Sequence, residues 1–115
     1  MNVSLGHPLP EPLIELIAQR FRLMGEPMRI KVLDRLRDGS ATVGALADHL
    51  GATQQNVSKH LKVLHQGGLL SRAKEGNSVR YAIADDTVFE LCELVCGGLR
   101  SQLADLDAIL EGAPA

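Results

Sequence analysis

A mainly α-helical domain carrying one two-stranded β-ribbon is the fold class that this 115-residue sequence predicts. Three observations predict it. Apolar residues recur at spacings of three and four through four successive segments, each closed by Gly, Pro or Thr. Between Leu69 and Ile83 the spacing changes to alternation around a Gly-Asn tip. From Asp85 to Glu111 the helical spacing returns and runs on without a proline.

The first helix begins after Pro10, with Pro12 tolerated in its first turn. Leu13, Ile14, Leu16, Ile17, Phe21 and Met24 give it a wide apolar face. Gly25-Glu26-Pro27 breaks it. The second helix, from Pro27 or Met28 to Asp38, is expected to bury Ile30, Val32, Leu33 and Leu36 before Gly39 ends it. In the third, Val43, Leu46, Ala47 and Leu50 form one face of two turns, and Gly51 sits where the chain must leave.

Thr53 is placed to cap the fourth helix, since its hydroxyl can accept from an orphan first-turn amide. That helix covers about residues 54 to 66 and stops at Gly67-Gly68, where left-handed backbone is cheap. Its apolar stripe is Val57, Leu61 and Leu64, with His60 beside it. The opposite face is Gln55, Lys59, Lys62 and Gln66, flanked by Gln54 and Ser58, and it carries no acid. Leu69 to Lys74 and Ser78 to Ile83 then alternate on either side of Glu75-Gly76-Asn77, a hairpin signature. Arg72, Lys74 and Arg80 are placed so that each strand shows its basic residues on one side.

Short helix, Gly turn, capped helix and basic ribbon, in that order, make a winged helix-turn-helix. The expected order is α-α-α-α-β-β-α in a single domain over residues 1–115. It divides into a flexible arm at 1–10, a helix-turn-helix at 43–67, a wing at 69–84 and a last helix at 85–111. That last helix, capped by Asp85, carries Val88, Cys92, Val95, Leu99, Leu103, Leu106 and Leu110 as a stripe of about seven turns. So small a chain has little core to cover such a stripe. Pairing across a two-fold axis would cover it, with the first helix included, so a homodimer is expected. Gly97-Gly98 in mid-helix costs on the order of 2 kcal/mol relative to two alanines, which points to close helix approach or a kink.

The whole chain has a net charge of -2. Residues 1–52 are balanced, whereas 53–80 hold five basic side chains against Glu75 alone, a net of +4, and 81–115 come to -6. Positive charge is thus concentrated where the fourth helix and the ribbon face one partner, as an interface for double-stranded DNA requires. Amides and a hydroxyl read base edges, and lysines neutralise phosphates. Aromatics are limited to Phe21, Phe89 and Tyr81, with no Trp. This disfavours single-stranded nucleic acid, which is bound by stacking. No apolar run is long enough for a membrane span, and Met1 to Pro12 lack a basic start and apolar core, so the expected location is cytoplasmic. An enzyme is not expected, for want of a phosphate loop or a nucleophile motif. The alternative from another class is a protein-interaction module that uses the same fold without DNA.

In GEPMRIKVLDRL, LADHLGATQQNVSKHLKVLHQGGLL and RAKEGNSVRYAI, together Gly25 to Ile83, the chain resembles the ArsR/SmtB family of winged-helix repressors. The resemblance implies an operator-binding homodimer that represses when unliganded and releases DNA when a metal ion or other signal binds. It implies that Gln54, Gln55, Ser58 and Lys59 lie on the recognition helix, and that Lys74, Asn77 and Arg80 belong to the wing. Lys62 and Arg72 complete the expected DNA-binding set.

The family's metal sites carry over poorly. Its third-helix thiolate site falls in VGALADHL, which has no Cys. Its last-helix site falls near Asp85, Thr87, Gly98 and Ser101, where only Asp85 is a ligand type. Two cysteines and four histidines remain. Cys92 and Cys96, at i and i+4, share a helix face and could form a thiol-based site for a soft metal, arsenite or an oxidant, or serve as small buried hydrophobes at a dimer seam. His60 reads as a packed or backbone-bonded core residue. His7, His49 and His65 are further candidates for nickel or zinc, although no spacing selects a site among them. Sensing by a separate sensor or corepressor protein is the remaining possibility.

Overall fold

The computed structural model describes residues 6–112. The elements run α1 (Glu11–Met24), α2 (Pro27–Leu36), β1 (Ala41–Thr42), α3 (Val43–Leu50), α4 (Gln54–Gln66), β2 (Leu70–Glu75), β3 (Ser78–Ile83) and α5 (Thr87–Leu110). The chain up to Ala84 forms one compact unit, and the segment from Asp85 onward forms a second. Residues 1–5 of the expected arm and 113–115 lie outside the described residues.

Helix boundaries follow from capping chemistry. Glu26 accepts from the Arg29 amide at 3.0 Å and starts α2, with Pro27 in its first turn. Thr42 does the same for α3 through Ala45 at 3.2 Å, and Thr53 for α4 through Asn56 at 3.1 Å. Gly51 ends α3 in the left-handed conformation at φ 63°, where a side chain would strain the backbone. Of the Gly67-Gly68 pair only Gly68 is left-handed, at φ 83°. α2 stops at Leu36, two residues earlier than expected.

The ribbon is part of a three-stranded antiparallel sheet in the order β1-β3-β2. β1 is absent from the expected order. It is only two residues long, and Ala41 and Thr42 become a strand by pairing with Tyr81 and Arg80. Glu75 pairs with Ser78, so it ends β2, and the hairpin loop is Gly76-Asn77 alone, with Gly76 at φ 62°. A hydrogen bond from the Ala84 amide N–H to the Leu69 carbonyl, 2.9 Å, closes the base of the wing.

The core of the first unit is Val32, Leu33, Leu36, Leu46, Val57, Leu61, Leu64, Leu69, Leu70 and Tyr81, all buried. Each such side chain contributes roughly 1.5–3 kcal/mol through removal from water. Ile30, expected inside, is 46% exposed. Its place on α2 lies off the Val32-Leu33-Leu36 stripe, and a helix three turns long buries one stripe only.

α5 is a continuous helix through Gly97 and Gly98. Its N-cap position is Asp86, while Asp85 Oδ1 accepts from the Thr87 amide at 3.0 Å and so satisfies a first-turn donor from one residue further back. Val88 is its one buried residue, and Leu94, Val95, Leu99, Leu103, Leu106, Ile109 and Leu110 are exposed. No helix among the described residues is long and apolar enough to cross a membrane.

Candidate nucleic-acid interface

α4 presents two chemically distinct faces. Val57, His60, Leu61 and Leu64 point into the core. Gln54, Gln55, Lys59, Lys62 and Gln66 are exposed, and Ser58 is half-buried. The amphipathic spacing therefore turns amides and ammonium groups outward together, on a helix held from behind by four buried side chains.

Its inner face is also anchored by polar contacts. Arg29 Nε donates to His60 Nδ1 at 3.3 Å, and Glu26 Oε2 lies 3.7 Å from the same nitrogen. Arg29 Nη1 donates to the carbonyls of Arg22 and Leu23 at the end of α1. His60 is thus a core histidine, held by side chains rather than by backbone. Arg29 and Glu26 carry no signal of this in the sequence, because their partner lies 31 residues away from Arg29.

The wing tip and the start of α4 enclose a cleft of about 460 Å³ lined by Val43, Gly44, Gln54, Gln55, Ser58, Asn77, Ser78 and Val79. Three of the expected recognition-helix residues and one of the wing are therefore brought to one concavity. A smaller hollow of about 260 Å³ between Thr53, Gln55, Asn56 and Lys59 adjoins the same face. Val43 and Gly44 join the cleft through α3, which periodicity alone marks only as a core helix.

Strand register separates the basic residues of the wing. Lys74 pairs with Val79, Arg72 with Tyr81, and Ala73 with Arg80. Paired residues share a face, so Arg72 and Lys74 lie on the Val79 side and Arg80 on the other, with Ala73 and Glu75. Arg72 and Lys74 are exposed. Arg80 is engaged within the chain, donating from Nε to Glu75 Oε2 at 2.6 Å and from Nη1 to the Ser40 carbonyl at 3.2 Å. This pairing holds the Glu75 carboxyl below the usual carboxylate range, first through the hydrogen bond from Arg80 and then through its charge.

The ligand-type side chains are dispersed. His7 and His49 are exposed at separate places. His65 makes an edge-to-face contact with Tyr81, ring centres 6.4 Å apart. Among the described residues no three of His, Cys, Asp and Glu come together as a metal site. At the family's last-helix position the Asp85 carboxylate is spent on Thr87, and Thr87, Gly98 and Ser101 add no ligand of the right kind. That donor set does not fit the family's metal. Cys92 is half-buried and Cys96 exposed on α5, and both thiols are free.

Residues 24–72 match the family model of a helix-turn-helix domain. The HTH-type transcriptional regulator CmtR of Mycobacterium tuberculosis is 45% identical over 69 residues, 60% of this chain and 58% of that one. The match thus spans a little over half the length of this relative. The HTH-type transcriptional regulator Rv0081 of the same organism is 33% identical over 102 residues, 88% of this chain and 90% of that one. The crystal structure of Rv0081 superposes with a TM-score of 0.75 at 32% identity, covering 86% of this chain and all of that one. The homodimeric winged helix-turn-helix DNA-binding domain of Mb0332 from Mycobacterium bovis, a possible ArsR-family transcriptional regulator, superposes with a TM-score of 0.70 at 27% identity, covering 90% of this chain and 94% of that one. With its fold, its helix-turn-helix segment and nearly all its length shared with these proteins, the chain belongs to the ArsR/SmtB family of winged helix-turn-helix transcriptional regulators.

Proposed function

We propose that this protein is a sequence-specific repressor that binds double-stranded operator DNA as a homodimer. The observation that carries the reading is the shared cleft: Gln54, Gln55 and Ser58 of α4 open onto the same concavity as Asn77 of the wing. Such a concavity fits a helix in the major groove with the hairpin beside it. Lys59 and Lys62 on α4 and Arg72 and Lys74 on one wing face supply phosphate contacts.

Dimerisation is supported by α5. Val95, Leu99, Leu103, Leu106 and Leu110, which share one helix face, are all about half exposed or more in the single chain, a stripe that a second copy would cover. Gly97 and Gly98 meet nothing within 4 Å, which leaves room for a second helix to approach closely. Exposed Leu16 and Phe21 bring α1 into the same proposal.

The signal is proposed to be a thiophilic ion taken by Cys92 and Cys96, or one relayed by a separate sensor protein; nickel or zinc at His7, His49 or His65 is the weaker reading. In either case the signal alters the angle between the two recognition helices, so that they no longer match successive major grooves.

Fluorescence anisotropy of the reduced, metal-free protein on the DNA upstream of its own gene tests this, read over a salt series. The expected result is tight binding that weakens steeply with salt, by a species that sediments as a dimer. Weak, salt-insensitive binding would leave the protein-interaction module as the better reading. Repeating the titration with nickel, zinc and arsenite shows whether the chain itself senses.

A further inference from the structure

The Arg80 guanidinium joins its own hairpin to Ser40, 40 residues away in the chain. On one side it holds Glu75, the last residue of β2, at 2.6 Å. On the other it holds both the carbonyl and the hydroxyl of Ser40, at 3.2 and 3.3 Å. Ser40 leads directly into β1, whose Thr42 pairs with Arg80 and caps α3. One side chain therefore ties the tip of the wing to the entry of α3. Those two elements are walls of the cleft, lined by Val43 and Gly44 of α3 and by Asn77, Ser78 and Val79 of the wing, and Arg80 is not itself among the lining residues.

We propose that Arg80 and Glu75 act as a strut that positions the wing for DNA, with Arg80 making no phosphate contact of its own. The inference rests on the DNA-binding reading above. It accounts for an acid at the tip of an otherwise basic hairpin. Glu75 is the one carboxylate between residues 53 and 80. Unpaired, it would repel phosphate; paired, its charge is cancelled by that of Arg80, and it supplies the acceptor that holds Arg80 in place. The pair is ionised at neutral pH, as any exposed carboxylate and guanidinium are.

Two substitutions at Glu75 separate geometry from charge, because both Glu75→Gln and Glu75→Ala remove the acid but only alanine removes the acceptor. On the upstream duplex, Glu75→Ala is expected to weaken binding roughly threefold, while Glu75→Gln binds at least as well as the unaltered protein. Arg80→Ala should weaken binding by a similar factor without changing the slope of log K against log salt, and the Glu75→Ala, Arg80→Ala pair should be no worse than either alone. Equal tightening by both Glu75 variants would overturn the strut, leaving Glu75 as a repelling charge. A slope that falls by about 0.9 in Arg80→Ala would overturn it in favour of a direct phosphate contact. Unaltered binding in all the variants would overturn it as well. If the unaltered protein binds no duplex at any salt, the DNA-binding reading itself fails and the strut with it. The other overturning results all require that the unaltered protein binds.

Discussion

Gly67 lies directly against Leu23: a Cβ at Gly67 would stand 2.3 Å from Leu23 Cδ1 and 3.0 Å from Cδ2. The backbone of Gly67 is ordinary, at φ -79°, so any residue could adopt it. Its neighbour Gly68, at φ 83°, meets nothing within 4 Å. The two glycines are thus required for opposite reasons, one for space and one for backbone conformation.

Substitution tells them apart. Gly67→Ala is expected to destabilise the fold by about 1 kcal/mol, because the half-buried Leu23 side chain must swing aside to admit the Cβ. Adding Leu23→Ala should recover part of that loss, because it opens the space. Gly68→Ala should cost on the order of 1 kcal/mol and gain nothing from Leu23→Ala. Urea midpoints of the variants decide; additive losses at Gly67 and Leu23 would refute the steric account.

Arg29 and His60 are linked across 31 residues of chain. His60 is 7% exposed and accepts the Arg29 Nε bond, while Arg29 also ties down the end of α1. His60→Ala is expected to cost about 1–3 kcal/mol, from a lost bond and a cavity beside the α4 stripe. A stability within a few tenths of the unaltered protein in urea denaturation would show that the Arg29 contact contributes nothing.

On the proposed DNA face, Lys59→Ala should weaken binding to every duplex and lower the salt slope by about 0.9, the share of one phosphate contact. Gln55→Ala should alter base preference instead, costing about 1–3 kcal/mol on the preferred operator and little on unrelated DNA. Anisotropy on both duplexes checks the pair. Equal losses on both duplexes for Gln55→Ala would remove it from base reading.

Acid should dissolve the wing pair late. Since Arg80 lowers the Glu75 pKa, the pair is present above the ordinary carboxylate range and is lost only as pH falls through the lowered folded value. In Arg80→Ala the Glu75 titration should move back up to the ordinary range. NMR of the Glu75 carboxyl carbon reads both midpoints, and coincident curves would show that the ion pair is not populated in solution.

Cys92→Ser with Cys96→Ser should leave DNA affinity unchanged and abolish any response of binding to arsenite. The two thiols stand on consecutive turns of α5, away from the α4 and wing residues in sequence, so sensing and DNA contact are separable. A response that survives the double substitution would place the sensor elsewhere.

The helices, the outward face of α4 and the existence of the wing are legible in the sequence, because caps, turns and apolar periodicity act within a few residues. Thr53 needs only Asn56 to start a helix, and the Val57-His60-Leu61-Leu64 stripe needs only its own spacing. Folding adds relationships between residues distant in the chain. β1 is a strand because β3 pairs with it, not because two residues have any preference of their own. Arg72 and Lys74 are separated from Arg80 by the register of the two strands, which alternation within one strand does not contain. Ile30 is left outside because α2 has one stripe to bury. Arg80 is tied to both Glu75 and Ser40 by a fold that brings Ser40 to it. Local chemistry chooses the elements; which side chains then meet depends on how those elements pack, and pair contacts across 30 or 40 residues leave no periodic trace.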